Sequence, residues 1–264
     1  MSDEKSLKYN EPWILQRADP YVYRHTDGSY YFTASVPAYD GIVLRCARSL
    51  AELSEAKEVM IWKKHESGPM SYHIWAPEIH YLFGKWYIYF AGGEKEDIWK
   101  IRPYVLECSG DDPLTDEWVE LGKMKRAAED EFSFEAFSLD ATVFENKGEY
   151  YYVWAEKVGV GKMISNIYIA KMESGNQLKT VQVLLTSPDY DWERKGFWVN
   201  EGPAVIHHDG KLFLTYSASE TGVDYCVGML SIDEDADLLD PHLWKKERYP
   251  VLKTCEKLGI YGPG

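Results

Sequence analysis

The chain repeats one pattern of apolar and polar positions. Four times an apolar strand start runs into a glycine-centred turn and then into a second strand dense in aromatic residues. The turns with their second strands are Asp27-Gly28-Ser29-Tyr30-Tyr31-Phe32-Thr33, Phe83-Gly84-Lys85-Trp86-Tyr87-Ile88-Tyr89-Phe90, Lys147-Gly148-Glu149-Tyr150-Tyr151-Tyr152-Val153-Trp154 and Asp209-Gly210-Lys211-Leu212-Phe213-Leu214-Thr215-Tyr216. Asp-Gly and Lys-Gly ahead of such runs predict β-hairpins. The turn glycines recur roughly every 60 residues, a period long enough for several short strands in each unit. All-β architecture follows, with the units as blades of a β-propeller more than as a sandwich. Further strands are predicted at 41–47, 166–170 and 225–230, and short helical turns at 49–57 and 240–245, where Asp-Pro can start a turn. No Pro/Ser/Gly-rich linker interrupts the pattern, so a single domain over residues 1–264 is the economical expectation. The closing Gly262-Pro263-Gly264 echoes Gly202-Pro203-Ala204. The chain thus holds four full repeats and the first step of another. Either four units close the ring or a fifth has been cut away, and the echo favours a missing C-terminal blade.

Composition narrows the partners. Apolar residues make up 45% of the 264, enough for a sizeable core, and 10 Trp and 20 Tyr suit both strands and surfaces that stack on sugar rings. A formal net charge of −14 repels nucleic acid and anionic membranes, which are set aside as partners. The polar start carries no apolar signal segment and no run is long enough to span a bilayer, so a cytoplasmic protein is expected. Cys46, Cys108, Cys226 and Cys255 lie far apart without a CxxC pair, which predicts free thiols.

Three acids recur at one place in the repeat. When the first strands are aligned on Val22, Ile79, Val143 and Val205, Asp19 and Asp140 fall three positions earlier and Glu201 four. The second repeat has Ala76 there. Glu78 sits one residue before Ile79, and strand alternation assigns it a structural role away from the other acids. First strands that surround a common axis would bring Asp19, Asp140 and Glu201 into one pocket. Like charges so close raise at least one carboxyl pKa. A raised carboxyl can act as a general acid, and grouped carboxylates are the working parts of glycoside hydrolysis.

Ala18-Asp19-Pro20-Tyr21-Val22, Trp75-Ala76-Pro77-Glu78-Ile79, Ser138-Leu139-Asp140-Ala141-Thr142-Val143-Phe144 and Asn200-Glu201-Gly202-Pro203-Ala204-Val205 resemble glycoside hydrolase family 43. The likeness spans the chain, in order, and within the family it is nearest to exo-acting α-L-arabinofuranosidases that trim 1,5-linked arabinan. The resemblance implies a five-bladed propeller and hydrolysis with inversion, releasing L-arabinofuranose from the non-reducing ends of arabinan or arabino-oligosaccharides. It implies that Asp19 is the general base, Glu201 the general acid and Asp140 the acid that tunes Glu201 and orients the sugar. A β-xylosidase of the same fold and a propeller that binds sugars without cleaving them remain open alternatives. No cofactor is implied as a requirement and no protein residue is assigned to a metal. A structural calcium or other cation on the axis is compatible with the family pattern. Trp75, Ser138, Asn200, Phe32 and Tyr39 are candidate sugar contacts. Packed or solvated roles are expected for His73 and His80, and exposure for His207 and His208. The sheet faces left bare by a missing blade could support self-association.

Overall fold

In the computed structural model, which describes residues 12–160 and 162–264, each glycine turn closes an antiparallel hairpin. The first unit is a four-stranded sheet of β1 (Ala18–Arg24), β2 (Tyr30–Ser35), β3 (Gly41–Ala47) and β4 (Val59–Lys63), in chain order. The second repeats this with β5 (Tyr72–Leu82), β6 (Lys85–Glu94), β7 (Asp97–Cys108) and β8 (Trp118–Lys123). The third is built on β9 (Ser138–Asn146), β10 (Glu149–Val160) and β11 (Lys162–Ser174), with β12 (Gln177–Leu178) and β13 (Val183–Thr186) both pairing with β11. The fourth comprises β14 (Trp198–His208), β15 (Lys211–Ala218), β16 (Cys226–Asp233) and β17 (Lys245–Lys246). A short parallel pairing of β11 with β14, at Ile164 with Trp198 and Ser165 with Val199, joins the last two units into one sheet. The fold is all-β. Short 3₁₀ turns at Ala51–Ser54 and Pro241–Leu243 fall where the sequence predicts them, the second capped by the Asp240 carboxylate, which accepts from the His242 N–H. No helix among the described residues is long and apolar enough to cross a membrane. The four cysteines are free thiols, as expected.

The aromatic second strands are the core. In β10, Tyr152 and Trp154 pack toward the second unit against Tyr89 and Val105, while Tyr151, Val153 and Ala155 pack toward the fourth against Leu212, Leu214 and Tyr216. Alternate side chains of one strand thus serve two interfaces, and a strand covered on both faces reads as an unbroken apolar run. β15 differs. Leu212, Leu214, Tyr216 and Ala218 are buried, whereas Lys211, Phe213, Thr215 and Ser217 on its other face are not. Only one of its faces meets another described sheet, and its sequence accordingly alternates.

Each first strand carries a kink at the same step. The register slips by one residue between Ala18 and Tyr21, between Trp75 and Glu78, opposite Val153 and Ala155, and between Glu201 and Ala204. Within these slips sit Asp19, Ala76, Asp140 and Gly202, with φ of 50°, 46°, 51° and 57°. Left-handed backbone inside a strand is the signature of a β-bulge. Asp tolerates that region better than most residues, and glycine tolerates it freely. Gly262 repeats the conformation with φ 50°. We predict that Gly202→Ala lowers the unfolding free energy by about 1–2 kcal/mol, the cost of a left-handed L-residue. Its Cβ would also stand 3.2 Å from Ser217 Oγ. Urea denaturation checks this; unchanged stability would show that the bulge is not a constraint.

Candidate functional site

A bulge turns one backbone N–H out of the ladder, and here those groups serve the acids. The Ala76 N–H donates to Ser35 Oγ at 2.8 Å, and the Ser35 hydroxyl donates to Asp19 Oδ2 at 2.7 Å. The Gly202 N–H donates to Asp140 Oδ2 at 3.2 Å. Asp19 and Asp140 occupy the left-handed position themselves, whereas Glu201 stands one residue ahead of it, with Gly202 taking the strain. This is the structural counterpart of the one-residue offset in the sequence. The Tyr225 hydroxyl donates to Glu201 Oε1 at 2.9 Å. Gly264 lies against that tyrosine so closely that a Cβ there would stand 2.3 Å from the Tyr225 ring.

Asp19, Asp140 and Glu201, from three separate strands, line one cavity of about 460 Å³. Trp75, Tyr39 and Tyr225 wall it. The structure therefore brings the three acids together with two of the expected sugar contacts. It does not bring the other three. Phe32 is buried with Ala34 and Leu53, on the far side of β2 from the cavity. Ser138 is fully buried and donates to the Ala136 carbonyl. Asn200 is also fully buried and does not line the cavity. Strand alternation explains Asn200, which stands beside Glu201. Ser138 is two residues before Asp140, and the bulge between Leu139 and Thr142 breaks the alternation there, so that Leu139 lines the cavity with Asp140. His73 is packed between Trp75 and Trp99, His80 is buried, and His207 and His208 are exposed, as expected.

Glu78 needs a correction. The sequence argument assigns it away from the acids, yet it lines the same cavity. The bulge between Trp75 and Glu78 resets the alternation, so residues on both sides of the kink face inward. Its structural pairing holds: Glu78 Oε2 lies 2.9 Å from His80 Nε2, and His80 Nδ1 lies 3.4 Å from the Tyr21 hydroxyl. Sequence reasoning also misses Tyr225, Ser35 and Lys157. None belongs to a repeated motif, and each acts through a contact that only folding creates.

Burial is the main force on the acids. It pushes Asp140 well up from the ordinary carboxyl range, and the negative charges of Glu201 and Asp19 push it further, against a partial offset from the Gly202 N–H. Burial raises Glu201 too; the Tyr225 hydroxyl and the Lys157 ammonium oppose the rise, and Asp19 adds to it. Glu78 is raised by burial, with His80 and Thr142 opposing. Asp140 and Glu201 hold protons as a pair. A pocket rich in carboxyl groups stabilises developing positive charge on a ligand and can exchange protons with it.

The chain matches Glycosyl hydrolases family 43 over residues 9–264. It belongs to that family. It is 48% identical over 259 residues to an extracellular exo-alpha-(1->5)-L-arabinofuranosidase of Streptomyces avermitilis, covering 98% of this chain and 53% of the relative. The same activity is carried by a Streptomyces chartreusis relative, 46% identical, with 97% of this chain and 76% of the relative covered. The chain thus spans about half the length of the first of these curated relatives. The crystal structure of an α-L-arabinofuranosidase from Lactobacillus brevis superposes with a TM-score of 0.87 at 51% identity, over 96% of this chain and 79% of that one. Both Streptomyces relatives are extracellular enzymes, which overturns the expectation of a cytoplasmic protein. That expectation rested on the polar composition of residues 1–5, and this composition does not decide export.

The pKa shifts carry a stability consequence. Asp140 holds its proton more tightly in the folded chain than in the unfolded one. Its burial is therefore harmless below about pH 4, where both states are protonated, and it costs stability as pH rises toward the folded value. We predict that Asp140→Asn melts above the parent near neutral pH, by about 2–4 °C for each kcal/mol relieved, and that the gap closes toward about pH 4. Thermal melts across that range check it. A gap of constant size would show that charge burial is not its cause.

Proposed function

We propose that this protein is an inverting glycoside hydrolase that releases L-arabinofuranose from the non-reducing ends of α-1,5-linked arabinan or arabino-oligosaccharides. The observation that carries the reading is the meeting of Asp19, Asp140 and Glu201 in one cavity, with Glu201 held by Tyr225. The similarity to exo-acting arabinofuranosidases supports the substrate class. In this reading residues 12–264 form one catalytic domain of a five-bladed propeller. The left-handed step recurring at positions 19, 76, 140, 202 and 262 supports five repeats.

The chemistry follows from the partners of each acid. Asp19, oriented by the Ser35 hydroxyl, takes a proton from a water that attacks the anomeric carbon. Glu201 gives its proton to the glycosidic oxygen as that bond breaks. Attack and departure occur on opposite faces, so a base and an acid separated by roughly 6.5–9.5 Å leave room for the water. Asp140 accepts from the N–H of Gly202, the residue after Glu201. Burial first, and then the charges of Glu201 and Asp19, raise Asp140, and burial raises Glu201, which favours a proton held by the pair. Among the described residues no group of three or more His, Cys, Asp or Glu is placed to hold a metal ion.

The test is hydrolysis of 1,5-linked arabinobiose followed by ¹H NMR, with β-L-arabinofuranose as the expected first product. Release of the α-anomer would overturn the inverting assignment, and no cleavage would overturn the activity. We predict that Glu201→Gln lowers kcat by roughly 10²–10⁴-fold, the usual contribution of general acid catalysis. Calorimetry should show arabinobiose binding retained, since the amide keeps the shape of the acid. Asp140→Asn should move the basic limb of the pH–rate profile to lower pH. Without the neighbouring carboxylate, the last proton of the pair leaves more easily. A limb that stays in place would remove the tuning role.

A further inference from the structure

Glu201 has two carboxyl oxygens, and the structure treats them differently. The Tyr225 hydroxyl donates to Oε1 at 2.9 Å, and among the described residues this is the one side-chain hydrogen bond that Glu201 makes. In a protonated carboxyl group the carbonyl oxygen is the better acceptor, so a fixed donor at Oε1 assigns the proton to Oε2. Tyr225 stands in the loop between β15 and β16 and lines the cavity, so its hydroxyl meets Glu201 inside the site. Burial, and then the charge of Glu201, push the phenol well above its ordinary value, so it remains a donor across the neutral range.

The contact also strengthens as the acid works. In the proposed mechanism the Oε2 proton passes to the glycosidic oxygen, which keeps the bonding pair as its bond to the anomeric carbon breaks. Water supplies the oxygen of the new bond to that carbon and leaves its proton on Asp19. Glu201 ends as a carboxylate, and a hydrogen bond to a charged acceptor is roughly twice as strong as one to a neutral acceptor. An interaction that is stronger in the transition state than in the ground state speeds the step.

We propose that Tyr225 is a positioning residue for the acid: by holding Oε1 it fixes Oε2 as the oxygen that delivers the proton, and it steadies the carboxylate left behind. This inference rests on the proposed function for the reaction it assists. The surrounding groups set its pH signature. Glu201 is faced by Tyr225 from that loop, Lys157 from β10, Asp19 from β1 and Asp140 from β9. Tyr225 and Lys157 favour its charged form, and the two carboxylates oppose it. Removing the hydroxyl therefore raises Glu201 further, the opposite direction to removing the charge of Asp140.

The test is Tyr225→Phe, which keeps the ring against Gly264 and removes the donor. Two substrates are compared, 1,5-linked arabinobiose and 4-nitrophenyl α-L-arabinofuranoside, whose nitrophenolate departs without protonation. We expect kcat on arabinobiose to fall about tenfold, the scale of one hydrogen bond to a charged group, with KM little changed. On the nitrophenyl substrate kcat should fall about twofold or less, since that bond needs little acid catalysis. The basic limb of the arabinobiose pH–rate profile should move to higher pH. Equal losses on both substrates, no loss on arabinobiose, or a limb that stays or moves to lower pH would each overturn the inference. The ratio of two rates from one preparation does not depend on how much of the variant is folded. Wild-type protein that cleaves neither substrate would overturn the proposed function, and the inference with it.

Discussion

The left-handed bulge in each first strand is the constraint on which the site depends. A strand with uninterrupted pairing would spend every backbone N–H on its neighbour and send alternate side chains to opposite faces. The kink at Asp19, Ala76, Asp140 and Gly202 breaks both rules at one step. It frees the N–H groups of Ala76 and Gly202 to support Asp19, through Ser35, and Asp140. It also lets residues on both sides of the step face the cavity, which is how Glu78 joins the acids. Strain in a few residues is thereby converted into the position of four carboxyl groups.

Those carboxyl groups are held at a cost. Burial and mutual repulsion oppose the ionised forms of Asp140 and Glu201, and one ammonium, Lys157, acts from the side. The packing around them is what tolerates this. Tyr89, Tyr152 and Trp154 are fully buried just outside the inner strands, and each unit shares its apolar faces with its neighbours. Stability gained in the layers between sheets offsets charge buried at their inner edge, the usual division of labour between scaffold and site.

Much of this was legible in the sequence, for specific reasons. The hairpins were visible because glycine turns and aromatic strands leave local signals, and β3 was placed to the residue. The acids were visible because a repeat displays equivalent positions side by side. Glu78 escapes the alternation argument because the bulge ahead of it leaves little trace in the sequence when the left-handed residue is Ala76. Ser138 and Asn200 show that closeness in sequence to an acid says nothing about which face a side chain takes, and Phe32, expected at the rim, belongs to the core beside Ala34 and Leu53. Tyr225 and Lys157 were missed because they reach Glu201 from a loop and from a neighbouring unit, through contacts that no motif records.

Tyr225 shows how far such dependence extends. Its hydroxyl holds Glu201, and its ring rests against Gly264, where there is no room for a Cβ. Gly262 is equally crowded, against the Gly222 carbonyl, and its N–H is bound by Thr254 Oγ1. A methyl group at Gly264 would press on the ring of the clamp, and one at Gly262 on the Gly222 carbonyl three residues before Tyr225, rather than on the acid itself. The aim of Glu201 is thus fixed in part by the emptiness of a position close to the end of the chain.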